Sequence, residues 1–188
     1  MPSFARELVW VEIDLSSIRY NTSQIKKLVF PSKVMAVVKA DGYGHGAVRS
    51  AQATLEGGAD MFGVASIDEG VKLREAGIKA KILILGPTQP NQIEEIFSYN
   101  LIPTIFTPEM VKKISALDFE CRCHIKIDTG MWRIGVPYQE ADSFISEVME
   151  VKNIKRLFDA SKESLMLNLG MPTRGAVEEY VYLKLVDQ

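Results

Sequence analysis

Val34-Met35-Ala36-Val37-Val38-Lys39-Ala40-Asp41-Gly42-Tyr43-Gly44-His45-Gly46 is a run of small and β-branched apolar residues that ends in a lysine. A loop with glycine at every second position follows, carrying one tyrosine and one histidine. An apolar run of this length bounded by glycines reads as a buried strand. Alternation then places Met35, Val37 and Lys39 on one face, with Lys39 at the C-terminal mouth of a sheet. On residue types alone two readings stand. The lysine reaches solvent and the glycines shape a tight turn, or it is a partly desolvated amine, nucleophilic enough for Schiff-base chemistry. A Walker loop is excluded, because the lysine precedes the glycines.

Working outward, strand-like apolar runs begin near Val34, Met61, Lys81, Leu101 and Cys121, at intervals of 27, 20, 20 and 20 residues by subtraction. A helical pattern fills each gap, as in Ser66 to Ala76 with Gly77 as a stop and in Pro108 to Leu117. Regular strand–helix alternation implies parallel βαβ units, and the constant period favours a barrel. Upstream, Trp10-Val11-Glu12-Ile13-Asp14 reads as a short strand. Asp14 or Ser16 then caps a helix to about Leu28, with Leu15, Ile18, Ile25 and Leu28 inward. The chain of 188 residues is short for a closed eight-stranded barrel, which usually takes about 250. The expected fold is therefore α/β, a partial (β/α)8 TIM-type barrel of about five to six βα units. Beyond Val151-Lys152-Asn153-Ile154, the approach to a sixth strand, the rhythm is lost. There Asp159 to Leu169 suits a short helix, residues 170–175 a loop, and Ala176 to Val186 a helix or strand.

Hydrophobic content of 47% and charged content of 24% fit a globular protein. A net charge of −2 and a pI near 5.8 give no electrostatic case for nucleic acid or an anionic membrane surface. No stretch has signal-peptide or membrane-span character, and two cysteines suit a reducing cytoplasm.

The second polar concentration is His124-Ile125-Lys126-Ile127-Asp128-Thr129-Gly130-Met131-Trp132-Arg133-Ile134-Gly135. Alternation sets Cys121, Cys123, Ile125 and Ile127 on one face against Arg122, His124, Lys126 and Asp128 on the other. That polar face either points into a barrel mouth or lines a solvated edge. Cys121, Cys123 and His124 match no zinc spacing. Arg133, seven residues after Lys126, is either a surface arginine in a turn or a planar guanidinium suited to a carboxylate.

Taken together, these stretches and Trp10-Val11-Glu12-Ile13-Asp14-Leu15 resemble the alanine racemase family, pyridoxal-phosphate-dependent racemases with an N-terminal barrel, from about Trp10 to Ile154. The resemblance implies interconversion of L- and D-alanine through a Lys39 aldimine with pyridoxal 5'-phosphate, in service of D-alanine supply. It implies that Lys39 is also one of two α-proton bases and that Tyr43 holds the cofactor phosphate. Leu85, in Ile84-Leu85-Gly86-Pro87, would line the cofactor pocket. Arg133 would meet the cofactor's phenolic oxygen and the substrate carboxylate. Lys126 looks like the lysine carbamylated in many members, an anion that would orient Arg133. A cytoplasmic homodimer acting on a small amino acid is implied, with no nucleic acid or membrane partner. Trp132 stands where a smaller or polar residue is expected, which would crowd the Arg133 loop.

After Ile154 the family continues with a strand ending in Thr-His, where this chain reads Lys155-Arg156-Leu157-Phe158-Asp159. The late phosphate loops and the C-terminal β domain, whose tyrosine supplies the opposite-face base to the partner subunit, have no counterpart. The expectation is a barrel-like region over 1–154 and a divergent tail over 155–188. The alternatives are a truncated, inactive racemase fragment or a non-catalytic pyridoxal-phosphate-binding protein.

Overall fold

The computed structural model describes residues 10–154 together with the backbone of residues 165–168 and 181–183. Its frame is a set of parallel strands laid side by side in chain order: β1 (Met35–Val37), β2 (Met61–Val64), β3 (Lys81–Ile84), β4 (Thr104–Ile105) and β5 (His124–Asp128). β1 pairs with β2, β2 with β3 and β4 with β5, all parallel. A parallel bridge between Leu83 and Ile102, closed by Ile84 N–H to Ile102 O and Ile102 N–H to Ile82 O (both 2.9 Å), joins the two halves. β6 (Val136–Pro137) lies parallel to the upper end of β5.

Helices α1 (Leu15–Leu28), α2 (Ala47–Glu56), α3 (Ile67–Glu75), α4 (Ile93–Ser98), α5 (Pro108–Ser115) and α6 (Ala141–Glu150) connect and cover the strands. Their starts follow from capping chemistry. Asp14 accepts from the N–H groups of Ser16 and Ser17, Ser66 from Glu69 and Thr107 from Met110. Odd and even strand positions face different cores. Phe62, Ile82, Ile84, Ile105, Cys121, Cys123, Ile125 and Ile127 are buried together with Leu73, Ile96, Ile114 and Phe144 of the helices. Leu83, Leu85 and Ile102 form a separate inner cluster with Met35, Val37 and Met61. This two-sided burial is what a parallel barrel wall requires, so the frame is the partial barrel that the 20-residue period indicates. No helix among the described residues is long and apolar enough to cross a membrane.

Three expectations fail. Residues 10–14 form no strand, and Trp10 and Val11 are exposed. Ile25 and Leu28 also face solvent, Leu28 at 85%. The reason is Gly57: a Cβ there would stand 2.6 Å from Arg19 O and 2.7 Å from Thr22 Cβ. Small residues let α1 sit close to the end of α2, burying Thr22 and rotating Ile25 and Leu28 outward. Third, Leu165–Asn168, placed above inside a helix, is strand β7, parallel to Lys126–Asp128 of β5. The free edge of β5 supplies ladder hydrogen bonds that outweigh the helix propensity of Leu and Met. β8 (Val181–Leu183), within a stretch read as helix or strand, pairs antiparallel with β7, which departs from the barrel pattern. The rest of 155–188, including the loop expected at 170–175, lies outside the described residues.

Candidate active site

Parallel strands leave their C-terminal ends free of ladder partners, and chemistry in such folds collects there. Val38 continues the ladder through its N–H to Gly63 O (2.9 Å) and is buried against the helices. Lys39 follows, partly buried, at the first residue of a tight turn, Lys39–Tyr43. From Ala40 onward that turn is left-handed: φ is +50° at Ala40, +51° at Asp41, +65° at Gly42, +54° at Tyr43 and +85° at Gly44. Three of these residues carry a Cβ, and each costs roughly 1–2 kcal/mol relative to its ordinary conformation. Glycine at 42 is needed for space as well, since a Cβ would meet Ala47 N and Ser50 Oγ at 3.3 Å.

Side chains from α3 and a main-chain N–H at the start of α2 hold the turn. The Glu69 carboxylate accepts from Ala40 N–H and from Ala65 N–H, both at 2.7 Å. Asp41 Oδ1 accepts from Lys72 Nζ (2.9 Å) and from Ala47 N–H (3.1 Å), and the Lys72 bond above all holds its carboxyl below the usual range. The His45 ring nitrogen Nδ1 lies 3.0 Å from Gly42 O and 3.2 Å from Tyr43 O. The turn also brings Lys39 Nζ to 6.0 Å from the centroid of the Tyr43 ring, which is otherwise exposed. Leu85, just past β3, belongs to the same inner cluster as Met35 and Val37. A Cβ on Gly63 would clash with Leu85 Cδ1 at 2.8 Å, so glycine on β2 makes room for that leucine.

Across the array, β5 resolves the question left by its polar face. Lys126 is fully buried and His124 and Asp128 are partly so, so the face points inward along β5 itself, whereas Arg122, ahead of the strand, is exposed. Burial, with Lys81 nearby, pushes the His124 imidazole down to about 4. On the opposite face, burial drives the thiols up, Cys121 to about 11 and Cys123, with Cys121 adding, to about 12. Both are inert thiols under ordinary conditions. Burial also raises Asp128, but N–H groups of Gly130, Trp132, Met131 and Arg133 outweigh it and hold the carboxyl below its ordinary range. The post-β5 loop is thus wound around one anion, and Gly135 closes it, because a Cβ there would stand 2.7 Å from Asp128 N. Beside it is a cavity of about 180 Å³ lined by Asp128, Trp132, Arg133, Gly135 and Tyr138. Trp132 does not crowd this loop; with φ +57° it turns outward and is 86% exposed.

Of the residues singled out from the sequence, Lys39 and Tyr43 meet, Leu85 shares their inner wall, and Lys126 and Arg133 stand four strands away at β5 and its loop. Lys39 is not among the residues lining the 180 Å³ cavity. Glu69 and Asp41 have no role assigned from the sequence, and Asp128 only a place on the polar face of β5. For Glu69 the signal was present as Ser66-Ile67-Asp68-Glu69, a capping-box pattern. For Asp128 it was Asp-Thr-Gly after a strand.

A parallel βα array with a lysine and a tyrosine just past the C-terminal end of its first strand defines a barrel-type domain with an amine at its mouth. The family described as "Alanine racemase, N-terminal domain" matches residues 13–158, and the chain belongs to it. It is 45% identical over 151 residues to the alanine racemase of Carboxydothermus hydrogenoformans, which covers 78% of this chain and 41% of the relative. It is 44% identical over 178 residues to that of Nostoc sp., covering 90% and 45%. The solved alanine racemase of Bacillus anthracis with bound L-Ala-P superposes with a TM-score of 0.70 at 36% identity, covering 78% of this chain and 39% of that one. The chain thus spans less than half the length of the curated relatives it matches.

Proposed function

We propose that this chain provides the cofactor-lysine half of a pyridoxal-phosphate-dependent alanine racemase. The observation that carries the reading is the position of Lys39, at the C-terminal end of β1 on a held left-handed turn, 6.0 Å from the Tyr43 ring. The donor set fits the cofactor: an amine for its aldehyde, a phenol for its phosphate, an apolar wall at Leu85 and a guanidinium at Arg133 for anionic oxygen. When bound, that cofactor withdraws electrons from the substrate Cα and makes its proton acidic. Lys39 Nζ would hold the cofactor covalently and move a proton on one face of Cα. Arg133 would orient the substrate carboxylate. Lys126 is fully buried, and carbamylation would replace its positive charge with a negative one able to orient Arg133. In the same reading residues 1–154 are the barrel-like region and 155–188 a divergent tail, from which β7 joins the edge of β5. The substrate is alanine, the assembly a homodimer and the compartment the cytoplasm, where two buried free thiols are at home.

A second reading, cofactor binding without racemisation, is favoured by β8, whose antiparallel pairing departs from a parallel barrel. Two measurements separate them. Mixed with pyridoxal phosphate and borohydride, the wild-type chain should yield a reduced adduct on the Lys39 peptide, and Lys39→Ala should not. Equal labelling of both would sink the cofactor reading. Conversion of L- to D-alanine above the rate of free cofactor selects racemisation; its absence beside a specific adduct selects the second reading.

A further inference from the structure

We infer that Glu69 is a positioning residue for Lys39, its carboxylate fixing the peptide that follows the lysine; this rests on Lys39 being the cofactor lysine. In an ordinary capping box the acid at the third helical position turns back to the N-cap residue's own N–H. Ser66 keeps its half of that arrangement, accepting from Glu69 N–H at 3.4 Å. The carboxylate is directed elsewhere. Oε2 takes the N–H of Ala65, the residue after β2, and Oε1 takes the N–H of Ala40, the residue after Lys39, each at 2.7 Å.

Both N–H groups lie just past the ladder, whose last rungs here are Val38 N–H to Gly63 O and Leu85 N–H to Val64 O. One anion therefore spans the ends of two neighbouring strands with charge-assisted bonds, the stronger class. The direction of Ala40 N–H is set by the ψ torsion of Lys39, and the turn begins with φ +50° at Ala40. Holding that N–H on Oε1 fixes the peptide that leaves Lys39, so that the backbone from which the side chain projects is held on both sides, by the ladder before it and by Glu69 after it. One helical turn further along α3, Lys72 holds Asp41 in the same way, but this pair is more than half exposed and screened. The partly buried Glu69 is the stronger restraint.

The test compares the full chain as wild type, Glu69→Gln and Glu69→Asp. Glutamine offers one oxygen and presents an N–H to the other amide; aspartate keeps the charge but is one methylene too short to span both. Three readouts are taken at matched thermal stability: apparent affinity for pyridoxal phosphate in the Lys39 adduct, the pH profile of trace acetylation of Lys39 against Lys152, and amide exchange at Ala40 and Ala65. Both variants should lose adduct affinity by about tenfold or more, shift the Lys39 acetylation profile and speed exchange at the two amides. Faster exchange with a wild-type adduct affinity and acetylation profile, in whichever variant folds, would reduce Glu69 to a helix cap and overturn the inference. Absence of a Lys39 adduct in the wild type would refute the cofactor reading instead, and the acetylation profile would still decide the role of Glu69.

Discussion

Glycines at the mouth of this array are there for different reasons, and the difference is testable. Gly44 answers to backbone conformation alone, at φ +85°, and Gly42, at +65°, to conformation and space together. Gly86, just after Leu85, answers to space: a Cβ there would lie inside contact distance of the Ala65 carbonyl oxygen. Ala65 is itself held by Glu69, so neither backbone can yield cheaply. Gly86→Ala should cost about 1–3 kcal/mol, the ordinary penalty of overpacking, seen as a lower urea midpoint with an unchanged slope. A midpoint equal to wild type would mean that the loop has slack. Residues of this kind differ in how far sequence reveals them. Lys39 is legible as a candidate, and its place just past β1 as a position, because an amine is expensive at a strand end and the motif is long. Glu69 is not, because both of its partners are main-chain amides, one of them 29 positions away. A backbone N–H has no letter of its own in a sequence.

At the scale of elements, α3 is the pin of the array. Its first turn holds the site through Glu69, and its last turn holds the opposite end through Arg74. That guanidinium donates to Ile78 O (2.6 Å), Ala80 O (2.7 Å), Asn100 O (2.7 Å) and Tyr99 O (3.1 Å), joining the loops that enter β3 and β4. Desolvation lowers its pKa, yet the group stays charged, as guanidinium does. Arg74→Lys keeps the charge but loses the planar fork. It should destabilise by about 1–3 kcal/mol in chemical denaturation while leaving the Lys39 adduct intact in the folded fraction. Loss of the adduct along with stability would show that the two ends of α3 are coupled. The boundaries of α3 and α5 were readable because Ser66, Gly77, Thr107 and Pro108 punctuate them. The inward face of α1 was not. Apolar periodicity favoured Ile25 and Leu28, whereas the close approach allowed by Gly57 and Thr22 decided the contact.

For the whole molecule, the order of five parallel strands follows from a 20-residue rhythm, because each βα unit consumes a similar length of chain. The rhythm carries no information about β7 and β8, whose placement depends on an open edge of β5. Building that strand into a two-sided wall has a global consequence. His124 faces inward on β5, beside Thr104 of β4 and near Lys81 of β3, with Lys126 and Asp128 further along its own face. Burial first, and the Lys81 charge second, hold its imidazole at about 4 against 6.5 in the unfolded chain. Between these values the unfolded state binds the extra proton and the folded state does not. Stability is therefore complete above pH 6.5 and falls as pH drops towards 4, by about 3 kcal/mol in all. The carboxylates of Asp60 and Asp128 are also held low, but their contribution is lost at lower pH, below the ordinary carboxylate range. Urea unfolding at pH 7 and pH 5 should show a drop in the wild type and little change in His124→Gln. An identical drop in both proteins would locate the acid sensitivity elsewhere in the fold.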